Sequence, residues 1–143
     1  MSITKHNIYL FFAGTILVLV GFYIGFLPAD YLSQFLGRSE FSLDSLSELR
    51  GMGGTLFILG LFIVGGACIK RIENTALILS ALIFGAFSAF RLLGILLDGI
   101  PSESILIALS IEVVFAVMVI PLMLSHQPSS HPASNKIRLA RQS

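Results

Sequence analysis

Charged side chains lie inside the long apolar runs of this sequence, and they are the residues that could do chemistry. Arg91 lies within one run, Glu112 within the next, and Glu48 and Arg50 at the start of an earlier one. Asp98 follows Arg91 by two helical turns on the same face. An ionised group inside an apolar span is costly, so such residues either pair with one another or line a binding site.

The positions of Arg91 and Glu112 along their spans predict an ion pair. At about 1.5 Å per residue, Arg91 lies about 9 Å inside its span and Glu112 about 12–13 Å inside the next one, counted from the same membrane face. The tight turn between the two spans makes them neighbours. Arg50 and Asp98, with Glu48 at the rim, complete a predicted network of five charged residues.

The composition indicates one integral membrane domain. Of 143 residues, 55% are hydrophobic and 12% charged, and the mean hydropathy is +0.91. Runs this long and apolar predict membrane-spanning helices. The expected fold is an all-α, integral membrane four-helix bundle over residues 1–124, followed by a flexible basic cytoplasmic tail over 125–143. The predicted spans are about 8–27, 48–69, 76–97 and 103–124.

The segment between the first two spans predicts short helices on the membrane surface. Pro28 ends the first span, because it cannot continue the hydrogen-bond ladder. Apolar residues then recur at helical spacing among polar ones over residues 29–47. Small residues within the spans, Gly21 with Gly25 and the ridge Ala81, Gly85 and Ala89, predict close helix packing.

The basic residues predict the orientation. With four spans, one side of the membrane collects most cations, which the positive-inside rule places in the cytoplasm together with both termini. The charged network then lies near the outer face. These cations are Lys5, Lys70, Arg71, Lys136, Arg138 and Arg141.

No motif for catalysis, metal binding or a cofactor is present in the sequence. There is no glycine-rich phosphate-binding loop and no H-E-x-x-H, and Cys68 is the only cysteine. The histidines, His6, His126 and His131, lie in the terminal segments. We therefore expect no catalytic residue, no metal and no cofactor, and an enzyme is the least favoured function. The cations of the tail lack interleaved aromatic residues, so nucleic acid is not an expected partner.

The charged motifs resemble those of a bacterial family of small four-span membrane proteins, which is catalogued only as a domain of unknown function. The motifs are E-L-R-G-M-G-G over 48–54, R-L-L-G over 91–94, D-G-x-P over 98–101, and Glu112. The resemblance covers roughly residues 8–124. It implies the four-span fold and a multi-pass protein of the bacterial inner membrane, and it implies no mechanism.

Two functions from different classes remain open. In the first, the charged network binds a lipid, a small anionic or polar ligand, or a proton near the outer face. In the second, the protein is an accessory or structural subunit of a larger membrane complex, and the network only sets the helix register. The predicted partner is the lipid bilayer; a lipid or small-molecule ligand, a second copy of the chain and a larger complex are the further candidates.

Overall fold

The computed structural model describes residues 4–36 and 40–125, which form five α-helices and no β-strand. The helices are α1 (Lys5–Phe26), α2 (Pro28–Leu36), α3 (Leu43–Cys68), α4 (Glu73–Asp98) and α5 (Glu103–Ser125). All except α2 are long and apolar enough to span a membrane. The predicted all-α architecture with four apolar spans is therefore confirmed. The predicted tail, from residue 126 onward, lies outside the described residues.

The helix ends follow from the residues that stand there. Pro28 begins α2, because its fixed φ suits the first helical position and it has no N–H to continue α1. Ser42 caps α3 by accepting a hydrogen bond from the backbone N–H of Ser45 at 3.1 Å. The second long helix therefore begins at Leu43 rather than near Glu48. Gly99, with a φ of 100°, ends α4.

Helices α1 and α3 are antiparallel and form the closest pair in the bundle. Gly14 faces Gly60, and Gly25 faces Gly53. The backbones touch at these points: a Cβ added to Gly60 would lie 2.7 Å from the backbone N of Val18, and one added to Gly53 would overlap the backbone of Gly25. Glycine is required here because any side chain would push the two helices apart.

Helices α4 and α5 form a second pair, which α1 joins through a buried hydrogen-bond network. Phe84 of α4 stacks on Phe115 of α5, with ring centroids 5.0 Å apart. The buried Tyr9 hydroxyl of α1 donates to the backbone carbonyl of Phe115 at 3.1 Å. The same oxygen lies 2.7 Å from the Ser80 hydroxyl oxygen, from which it can accept a hydrogen bond. The network thus fixes α1 against both helices of the second pair.

We expect Tyr9→Phe to lower the free energy of unfolding by about 1–2 kcal/mol, because Ser80 would be left buried without its partner. Reversible unfolding in mixed detergent micelles measures this change. Ser80→Ala is the second arm of a double-mutant cycle, and the combined variant should lose less than the sum of the two. Strict additivity of the two substitutions would contradict the coupling.

Candidate functional site

Arg91 of α4 and Glu112 of α5 form a salt bridge inside the bundle. The Arg91 Nε lies 2.9 Å from Glu112 Oε2 and 3.0 Å from Oε1, to which it donates a hydrogen bond. The two side chains are 25% and 12% exposed, so both are largely removed from the surface. The structure therefore joins the two central residues of the predicted network.

This salt bridge leaves hydrogen-bonding capacity on both sides. Nε carries a single hydrogen, which points to Oε1, so the buried Oε2 accepts no hydrogen bond within the described part of the chain. Over the same residues, the two Nη groups of Arg91 make no hydrogen bond. The guanidinium carbon lies 5.8 Å from the centre of the Phe87 ring, within the range of a cation–π interaction. The Nη donors of Arg91 thus remain for a further polar group.

The salt bridge lines a cavity of about 230 Å³ to which all five helices contribute. Its walls are mainly aliphatic and aromatic, and its polar groups besides the salt bridge are Tyr23, Tyr31 and Ser104. An engineered apolar cavity of about 150 Å³ is large enough for benzene. The cavity therefore has room for a small organic molecule, with its polar part at the salt bridge.

Helix α2 adds an aromatic wall to this cavity. Tyr31 of α2 meets Tyr23 of α1 edge to face, with ring centroids 6.0 Å apart. Gln34 of α2 donates a hydrogen bond to the Tyr23 hydroxyl. The amphipathic connector between the first two spans is thus part of the cavity wall.

The other three residues of the predicted network do not join the salt bridge. Glu48, Arg50 and Asp98 are exposed, and among the described residues none of them forms an ion pair. Each lies near a helix end, Glu48 and Arg50 close to the start of α3 and Asp98 at the end of α4, where solvent or lipid headgroups can stabilise a charge. Glu48 lines a separate open groove of about 640 Å³ between α3 and α4.

A second charged cluster lies at the opposite end of the bundle, where the sequence analysis identified only cations. Glu73, 1% exposed, is 3.0 Å from His6 Nδ1 and 2.6 Å from Lys70 Nζ. His6 Nε2 is also 3.3 Å from the Ser125 hydroxyl. The cluster joins α1, α4 and α5. A carboxylate two residues after a pair of cations and close to the next apolar run was the available signal, but the sequence did not indicate that His6 packs there.

We expect Glu73→Gln to lower the free energy of unfolding by about 1–3 kcal/mol, because it removes the charge that holds three elements together. Lys70→Met is the matched variant. The Lys70 side chain is 72% exposed, so its loss should change stability by only about 0–1 kcal/mol. Equal effects of the two substitutions in a detergent unfolding assay would contradict a structural role of Glu73 in this cluster.

The fold and its surface define the class of protein. The four long helices expose many large apolar side chains, such as Leu96 at 81% and Leu82 at 64%, and only Leu109 and Val119 of α5 are buried. A surface of this kind on helices of this length is that of a multi-pass membrane protein.

The chain belongs to the family described as Domain of unknown function (DUF4345), which matches residues 6–123. The match includes all five charged residues of the predicted network, two of which form the salt bridge. No curated protein and no solved structure shows a significant match to the chain. The protein is thus a small membrane protein of a family whose description assigns no activity.

Proposed function

We propose that the cavity beside Arg91 and Glu112 binds a small amphiphilic molecule, with its polar part at the salt bridge and its apolar part against the cavity wall. One observation carries the proposal: Arg91 engages Glu112 through Nε alone, and the salt bridge lines a cavity. A purely structural pair inside a membrane would be expected to use more of its hydrogen-bonding groups, because unsatisfied polar groups there are costly.

The proposal includes an orientation in the membrane. The charge bias of the sequence supports cytoplasmic termini and a cavity near the outer face of a bacterial inner membrane. Cys68 is exposed at the end of α3 remote from the cavity, so a membrane-impermeant maleimide should not label it in intact cells. Ser102→Cys, made in a Cys68→Ser background, should be labelled. The reverse pattern would invert the orientation.

Native mass spectrometry of the protein, extracted gently from its own membrane, tests the binding. We expect a bound small molecule or lipid that is lost in Ala108→Leu, because Ala108 lines the cavity and a leucine there would fill it. Ala89→Leu is the control, since Ala89 is exposed and lies outside the cavity lining. A bound species equally retained in both variants, or no bound species, would contradict the proposal.

The second candidate function is that of an accessory subunit, and the small-residue ridge of α4 favours it. Among the described residues, a Cβ added to Gly85 would meet nothing within 4 Å, and Ala89 is exposed, whereas Ala81 packs against the core. Gly85 and Ala89 are therefore open to another helix, either of a second copy or of a larger complex. Co-purification of a protein subunit in the same experiment, lost in Gly85→Leu, would support this function over the first.

A further inference from the structure

The cavity and the groove between α3 and α4 are separated only by a shared wall. Met52 and Leu56 of α3 and Phe87 of α4 line both spaces. The groove has a volume of about 640 Å³ and is lined beyond this wall by further apolar residues, among them Leu59 and Leu82. A chain that passed between Met52 and Phe87 would therefore reach the lipid-facing surface among apolar side chains.

Helix α3 is held mainly by α1. Gly53 and Gly60 of α3 face α1 and bring the two backbones into contact. The α3–α4 contact is much less extensive. Lipid can contact the side chains that line the groove, since Met52 is 42% exposed and Leu82 is 64% exposed.

The salt bridge restricts the head group that could sit beside it. Arg91 and Glu112 together carry no net charge, so an anion would leave an uncompensated negative charge in a buried site. An uncharged head that accepts hydrogen bonds suits the site better. Its hydroxyl oxygen can accept from the Nη groups of Arg91, which make no hydrogen bond to the described residues.

We infer that the ligand is a single-chain membrane amphiphile with an uncharged, hydroxyl-bearing head, whose chain leaves the cavity between α3 and α4. This inference rests on the proposed function and adds the class of ligand and its route. The head occupies the cavity beside Arg91, the chain passes Met52 and Phe87, and the rest of the chain lies in the groove. Entry from the membrane is lateral, without passage through water.

A photoreactive probe tests the inference. Monopalmitoylglycerol with a diazirine at the end of its acyl chain is added to the protein in phosphatidylcholine nanodiscs, and cross-linked peptides are mapped by mass spectrometry. We expect labelling at Leu59, Leu82 and Ile83, suppressed by excess unlabelled monopalmitoylglycerol. Palmitate at a pH where it is ionised should compete about tenfold less well, because its carboxylate would add an uncompensated negative charge beside the salt bridge.

Two variants locate the route. Ala86 lines the groove and Ala89 does not, so Ala86→Phe should lower the competable labelling about tenfold while Ala89→Phe leaves it unchanged. Competable labelling on the outer surface of α5 would overturn the route, and equal competition by palmitate would overturn the uncharged head. Absence of competable labelling overturns the whole inference. The proposed function would still stand if native mass spectrometry finds a bound molecule displaced by Ala108→Leu.

Discussion

Gly53→Ala should lower the free energy of unfolding by about 3 kcal/mol or more, the upper end of the range for overpacked cores. The added Cβ would overlap the backbone N and Cα of Gly25 and the carbonyl carbon of Ile24. Backbone atoms cannot move aside as the end of a side chain can, so α1 and α3 would have to separate. Separation would also loosen the apolar residues that pack beside the glycines.

The neighbouring glycine is the control for this prediction. A Cβ added to Gly54 would meet no atom of the described residues within 4 Å, so Gly54→Ala should change stability by no more than about 0.5 kcal/mol. Reversible unfolding in mixed micelles compares the two variants directly. Gly21→Ala, which would overlap the backbone of Phe57, should resemble Gly53→Ala. Equal stability of the Gly53 and Gly54 variants would show that α1 and α3 do not pack through their glycines.

The depth of a residue in a span could be predicted from the sequence, and its direction around the helix could not. Arg91 and Glu112 lie at similar depth on consecutive helices joined by a short turn, so counting residues was sufficient to suggest their contact. The same counting predicted Arg50 near the level of the network along the membrane normal. Its exposure depends on how α3 is rotated, and that rotation follows from the glycine contact of α3 with α1.

The second charged cluster and the cavity show what a linear pattern leaves out. His6 and Glu73 are 3.0 Å apart, but their contact requires the start of α1 to pack on the start of α4, and hydrophobic periodicity does not identify nonconsecutive neighbours. The cavity depends on the space that side chains from five helices leave unfilled. Neither feature is determined by the pattern of any single helix.

Arg91→Met should lower the free energy of unfolding by about 3–5 kcal/mol, because it leaves the Glu112 carboxylate buried without its counter-charge. Glu112→Met should have a similar effect, since it leaves the Arg91 guanidinium buried without its counter-charge. Unfolding in mixed micelles measures both. Full stability of either single variant would mean that the remaining charge reaches water, and the salt bridge would then not be a buried one.

The double variant, Arg91→Met with Glu112→Met, separates the two functions that remained open. Replacing a buried ion pair by apolar residues of similar size is often neutral or stabilising, so the double variant should recover most of the stability that each single variant loses. It should still lose the bound molecule in native mass spectrometry, because the Arg91 donors to the head are gone. If recovered stability came with retained ligand, the salt bridge would not hold the head, and the proposed function would be contradicted. If stability did not recover, the charges would be required for the fold itself, as in the accessory-subunit alternative.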